Sequence, residues 1–262
     1  MSNFKLINNE ACNLIEKNGY LVLKEFLSEN EVSRFKKYIL QQFRECSWKK
    51  GKTFGRDYKN YCTSWLFKRF EFVSARLYIQ EHNRPDFLSK KINDLKHDML
   101  LIEKKINNKK NLKSEKKRNF FDIVSIYSNK CSGYPPHKDI DDIRTELQAQ
   151  QTLTKKIIDY NGGDLVLHFK DKKVFTTKDL DLSHKDIIIF DKSIVHSVES
   201  INPGKKLIGR WMVLYNASII SKSKKDKSYK LNSLASFLKK DIVSRIRDKI
   251  AQRYINKLQS FF

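Results

Sequence analysis

Residues 126–139 read IYSNKCSGYPPHKD, and the fold turns on this stretch. A short apolar run ends in Tyr127, glycine and proline mark a turn, and His137 and Asp139 then stand two residues apart. In an extended chain, residues two apart point to the same side, so one imidazole and one carboxylate converge on one point. His196 follows 59 residues later in SIVHSV. Two histidines and one carboxylate on one face of a metal leave the other positions open, as non-haem iron(II) requires. Alone, the motif is weak. His137 and Asp139 also fit a surface turn, since Asp141 and Asp142 follow, and His196 fits a buried imidazole bonded to backbone.

The surroundings of this stretch are strand-like. FFDIVSIYS (120–128), DLVLHF (164–169), KVFTT (173–177), DIIIF (186–190), SIVHSV (193–198) and KLIGRWMVLY (206–215) are separated by the turn signals SGYPP, YNGGD, KDKK and INPGKK. Short strands spaced by such turns predict a barrel or a double-sheet jelly roll. After Tyr215 the strands are expected to stop, and a Lys/Ser-rich linker leads to an amphipathic helix near 232–259. Its apolar stripe packs on the domain or, as the alternative, on a second copy.

Upstream, residues 8–18 predict a helix stopped by Gly19, and YLVLKEFL (20–27) a strand. Ser28 and Glu31 have the spacing of a capping box before the helix EVSRFKKYILQQF (31–43), and 87–107 predict a further helix. Residues 107–119 read as an exposed polar loop. The stretches 47–85 and 140–160 have no clear periodicity and are expected to supply substrate-facing loops. The expected organisation is one domain of mainly β structure with flanking helices: a helical part over 1–117, a double-stranded β-helix core over 118–217 and a C-terminal helix over 218–262.

Composition bounds the rest. Hydrophobic residues make up 40% of the 262, with 17 Phe and 11 Tyr, which excludes a disordered chain. The net charge of +23, from 53 basic and 30 acidic residues, attracts polyanions and raises nucleic acid as a partner. Lysine is nevertheless spread along the whole chain, which favours a solvated coat on an ordinary enzyme. Cys12, Cys46, Cys62 and Cys131 form no C-x-x-C pair and read as free thiols in a reducing compartment. No signal-peptide core is visible at the N-terminus, and no apolar run approaches the roughly 20 residues of a membrane span. A cytoplasmic protein without a membrane partner is expected, as monomer or as homodimer through the C-terminal helix.

Four segments together resemble the iron(II)/2-oxoglutarate-dependent oxygenases, near the prolyl 4-hydroxylase and phytanoyl-CoA hydroxylase branches. IYSNKCSGYPPHKD is similar to their strand ending in tyrosine, a glycine turn and Tyr-x-x-His-x-Asp. YNGGDLVL (160–167) resembles their G-G-[DE]-L strand, and DIIIFDKSIVHSVESINPGKK (186–206) the segment with the second histidine. NGYLVLKEFLSENEV (18–32) looks like their entry strand and capped helix. The resemblance covers about half of the chain.

The resemblance implies iron(II) held by His137, Asp139 and His196, with 2-oxoglutarate and O2 as cosubstrates and ascorbate as an optional reductant. It also implies a cation for the distal carboxylate of 2-oxoglutarate on the strand after His196. Lys206 matches by spacing, with Gly204 two residues before it, and Arg210 by its place in GRWMVLY. A guanidinium offers a carboxylate a fork that lysine lacks, so both stay open. Tyr127 matches the tyrosine that donates to 2-oxoglutarate in the prolyl-hydroxylase branch. The implied activity is a dioxygenase that hydroxylates an unactivated C–H bond, releasing succinate and CO2. Asp139 argues against halogenating relatives, which lack this carboxylate. Dealkylating relatives carry a second arginine six residues after the first, where this chain has Asn216. A small molecule, such as an amino acid or natural-product intermediate, is the first expected substrate, and a peptide or protein side chain the second. The contrasting class is a basic β-barrel that binds nucleic acid without catalysis.

Overall fold

The computed structural model describes residues 9–45, 61–67, 72–112, 118–127, 133–140, 143–203 and 208–220, together with 249–250, 252–253 and 255–258 near the C-terminus. Lys206, Cys46, Asp141, Asp142 and most of the expected C-terminal helix lie outside these residues.

Helix α1 (Asn9–Asn18) ends at Gly19, whose φ of +77° lets its N–H return to the Ile15 carbonyl at 2.8 Å. Strand β1 (Tyr20–Leu23) leads into α2 (Glu29–Glu45). The expected capping box is present: Ser28 N–H donates to Glu31 Oε2 at 2.8 Å, and Glu31 N–H donates back to Ser28 Oγ at 3.3 Å. Two strands, β2 (Tyr61–Phe67) and β3 (Phe72–Gln80), precede α3 (Asp86–Lys109). The remaining strands are β4 (Arg118–Tyr127), β5 (Tyr134–His137), β6 (Leu147–Thr152), β7 (Tyr160–Gly162), β8 (Leu165–His168), β9 (Lys173–Phe175), β10 (Ile187–Asp191), β11 (Val195–Val198), β12 (Ile201–Pro203) and β13 (Arg210–Ile220).

These strands form a seven-stranded sheet in the order β1-β10-β6-β13-β4-β3-β2, a four-stranded sheet β5-β11-β8-β9, and a small pair β12-β7. Every pairing of these strands is antiparallel, and from β4 onward the chain passes repeatedly between the two larger sheets, with β8 and β9 a hairpin in the smaller and β7 and β12 set aside as their own pair. That is the expected jelly roll. Alternation along β13 shows the layering. Trp211, Val213 and Tyr215 face the main core with α1, α2 and α3, while Arg210, Met212 and Leu214 face the interior between the sheets. Leu165, Leu167 and Val174 meet Ile188 and Phe190 across the gap, closing the two sheets on each other.

Four expectations need correction. The region 1–117 is less helical than expected, because β2 and β3 join the expected strand β1 in the large sheet. The stretch 140–160 holds β6, a central strand, where a loop was expected. Strand β13 runs past Tyr215 to Ile220, because a bulge between Leu214 and Ala217 lets pairing with β4 resume. Part of the turn INPG is also paired, as β12 with β7. Near the C-terminus, Ile255 and Leu258 are buried in the main core, so this part of the expected apolar stripe does pack on the domain.

Candidate metal centre

His137 ends β5 and His196 lies in β11, and the register pairs them directly. Their rings lie 4.2 Å apart, centroid to centroid. Asp139 follows the end of β5, where its N–H donates to the Lys192 carbonyl at 3.1 Å. Asp139 Oδ1 lies 3.7 Å from His137 Nε2, and Oδ2 lies 3.6 Å from His196 Nε2. One ligand atom from each of the three falls within 4.8 Å of the others, and this is the metal-competent cluster found among the described residues.

The backbone fixes which nitrogen faces inward. His137 Nδ1 lies 2.9 Å from the Pro135 carbonyl, and His196 Nδ1 lies 2.9 Å from the Ile194 carbonyl. A carbonyl only accepts, so each Nδ1 carries the proton and each Nε2 keeps its lone pair for a metal. Burial pushes the His196 imidazole below its usual pKa, against the pull of the Ile194 carbonyl and of Asp139. The neutral form is the one a metal needs. Phe190 packs on His196 and Tyr134 on His137, at 5.1 and 4.3 Å between centroids.

The cluster opens into a cavity of about 540 Å³ between the sheets. Its apolar wall includes Phe121, Ile123, Leu165, Met212 and Leu214. Its polar wall comes largely from the two stretches the sequence leaves unplaced: Arg76 and Tyr78 on β3, with Glu146, Gln148 and Gln150 on or beside β6. These residues do face the site, but from strands. Their signal in the sequence was faint, because β6 alternates glutamine with leucine and alanine (LQAQQT).

Tyr127 is buried and lines this cavity. Arg210 pairs with it in register, 1% exposed, with its guanidinium 5.6 Å from the Tyr127 ring centroid. Arg210 Nε and Nη1 are buried without a hydrogen-bond partner. Unanswered donors on a buried cation are costly, so this group is one an anion would complete. Asn216 points elsewhere. It sits in the β13 bulge at φ +52°, accepts from Arg84 and donates its N–H to Asp122, so it belongs to the helix-side packing. His168 bonds to Ser197 and His184 to Glu29, both away from the cluster.

Among solved structures, the chain is similar to a prolyl 4-hydroxylase from Pseudomonas putida. The match has 15% identity, covers 78% of this chain and 94% of that one, and has a TM-score of 0.51. A 2OG-Fe(II) oxygenase family oxidoreductase from Burkholderia pseudomallei also aligns, at 11% identity over 78% and 86% of the two chains, with a TM-score of 0.44. The fold is that of the 2-oxoglutarate/iron(II) oxygenases. No family model and no curated protein matches the sequence. At such identity the likeness speaks for the fold alone, and the case for chemistry rests on the side chains of the cluster and its cavity.

Proposed function

We propose that the protein is an iron(II)- and 2-oxoglutarate-dependent oxygenase that hydroxylates a small molecule. The observation that carries this reading is the conjunction of an open His137–Asp139–His196 cluster with a buried, incompletely bonded Arg210 inside one jelly roll. The donor set fits iron(II): two neutral imidazoles and one carboxylate on one side, with the cavity on the other. Iron(II) held by these three residues, with a bound 2-oxo acid, would supply oxidation of a C–H bond by O2, with succinate and CO2 as coproducts. The chain's own residues position the reactants. Asp139 brings the negative charge that holds a divalent cation, and the Pro135 and Ile194 carbonyls fix both imidazoles. Arg210 takes the distal carboxylate, and the Tyr127 ring flanks its guanidinium.

A small-molecule substrate is supported by the cavity, whose 540 Å³ falls in the usual range for such ligands. Its lining mixes apolar side chains with Arg76, Glu146, Gln148 and Gln150, which suits a compact polar metabolite.

The test is spectroscopic. Protein loaded anaerobically with iron(II) and 2-oxoglutarate is expected to show the weak visible absorption of the metal–2-oxo acid chelate, and His196→Ala to lose it. A wild type without the band, or an undiminished band in His196→Ala, would falsify the reading.

A further inference from the structure

Two of the three cluster residues lean on one turn. Residues 191–194, DKSI, carry the chain from β10 in the seven-stranded sheet to β11 in the four-stranded one. The Lys192 carbonyl accepts the Asp139 N–H at 3.1 Å, and the Ile194 carbonyl accepts from His196 Nδ1 at 2.9 Å. Asp139 lies beyond the end of β5, outside any strand, and its bond to Lys192 ties its backbone to the turn.

All four N–H groups of the turn are used to hold it in place. Asp191 N–H donates to the Gly19 carbonyl at 3.1 Å, and Lys192 N–H to the Glu146 carbonyl at 2.8 Å. A buried ion pair between the Lys192 and Glu146 side chains, at 3.6 Å, doubles the second tie. Ile194 N–H donates to the Asp191 carbonyl at 3.0 Å, and Ser193 N–H to Asp191 Oδ1 at 2.9 Å. With the donors turned to the fold, the Lys192 and Ile194 carbonyls serve the cluster. Three of the four N–H bonds end on main-chain carbonyls, which a change of side chain leaves in place. The fourth ends on a side chain: Asp191 folds back on Ser193 as an Asx turn.

We propose that Asp191 is a positioning residue of the metal centre, clasping the Ser193 N–H so that the turn presents the Lys192 carbonyl to Asp139 and the Ile194 carbonyl to His196. A metal accepts its ligand atoms only within roughly 0.2 Å of their proper distances, so a turn that rocks further loosens two ligands at once. Partners that hold metal ligands in this way are worth about 10–100-fold in metal affinity. The proposal rests on the reading of His137, Asp139 and His196 as a metal site.

The experiment is a titration of the metal-free protein with manganese(II), at a temperature where every variant is folded. Asp191→Ala is expected to raise the Kd about tenfold, at the lower end of that range. Asp191→Asn, whose amide oxygen can still accept from Ser193, is expected to stay within about twofold of wild type. Asp186→Ala is the control for a lost turn acceptor alone. Asp186 takes the Ser183 N–H at the opposite end of β10, so this variant should melt lower yet keep the wild-type Kd. An unchanged Kd in Asp191→Ala, or a tenfold loss in Asp191→Asn or in Asp186→Ala, overturns the role of Asp191. A wild type that binds no manganese(II) overturns the metal reading instead. If Asp191→Ala does not fold, hydrogen exchange in wild type decides, because coupling between metal and turn is reciprocal. Saturating manganese(II) should slow exchange at the Ser193 amide about tenfold and leave the Ser183 amide unchanged; no slowing at Ser193, or equal slowing at both, overturns the proposal.

Discussion

Arg210 and Arg84 are both buried arginines, but their hydrogen bonding differs. Arg84 donates to Asp122 through Nε at 2.6 Å and Nη2 at 2.9 Å, and further to Asn93 and Asn216. Arg210 has two nitrogens unanswered. Replacing each with methionine should therefore act in opposite directions. Arg84→Met strands the Asp122 carboxylate in a site with 0% exposure and is expected to cost about 3–5 kcal/mol in a urea melt. Arg210→Met removes a cation that the ligand-free protein does not satisfy, so stability should hold or rise. Its 2-oxoglutarate affinity should meanwhile fall roughly a hundredfold, the equivalent of about 3 kcal/mol for a charged hydrogen-bonded contact. If Arg210→Met unfolds like Arg84→Met, or binds 2-oxoglutarate like wild type, Arg210 is a core residue and the carboxylate is held elsewhere. The sequence left Arg210 and Lys206 both open because spacing pointed to Lys206 and the chemistry of the guanidinium to Arg210. Lys206 lies outside the described residues, while Arg210 is buried with open donors beside Tyr127 of β4, a setting that no local pattern announces.

At the scale of the element, legibility followed the apolar pattern. Strands β10 and β13 carry continuous or alternating hydrophobic residues and were readable, as was α2 with its capping box. Strand β6 was not. On its core side Leu147 and Ala149 are apolar, but Gln151 is buried there by bonds to Tyr215 and the His184 carbonyl, while Gln148 and Gln150 line the metal cavity. A strand that turns polar side chains toward a cavity loses the hydrophobic signal that marks strands, so the candidate site was partly hidden by its own polarity. The three residues of the cluster escaped this because H-x-D and a later histidine are legible as spacing. The junction of β1, α2 and β10 offers a pH test. Asp186 accepts the Glu25 and Ser183 N–H groups, at 2.7 Å each. Burial pulls its carboxyl up, but these backbone bonds, with Ser183 Oγ and Lys24, outweigh it and hold the pKa below the usual 3.8. A depressed folded-state pKa stabilises the protein above the unfolded value and loses that contribution as pH falls through the folded one. Asp186→Asn should then be less stable than wild type at pH 7, by about 1–2 kcal/mol. The gap should narrow as acid is added below pH 3.8. A gap that stays constant down to acid unfolding would show that the carboxylate's charge does not matter there.

Across the whole molecule, the site is assembled from both sheets. His137 and His196 come from the four-stranded sheet, whereas Arg210 and Tyr127 come from the seven-stranded one, whose other face carries the helices. A 2-oxo dicarboxylate bound at one end to the metal and at the other to Arg210 would bridge the sheets across the interior. Any ligand that binds only the folded state stabilises it, by about 2.7 kcal/mol at a concentration of 100 times its Kd. For a chain of this length each kcal/mol is worth roughly 2–4 °C in Tm. Manganese(II), which does not oxidise in air as iron(II) does, should raise Tm by several degrees at saturation, and 2-oxoglutarate should add a second increment only once the metal is present. Arg210→Met should keep the first increment and lose most of the second, and His196→Ala should lose both. That ordering follows from the geometry: the metal cluster needs only β5, β11 and the residues between β5 and β6, while the dicarboxylate needs the second sheet as well. An increment from 2-oxoglutarate that survives in His196→Ala would mean that the anion binds without the metal, as expected if the +23 net charge simply attracted it to the surface.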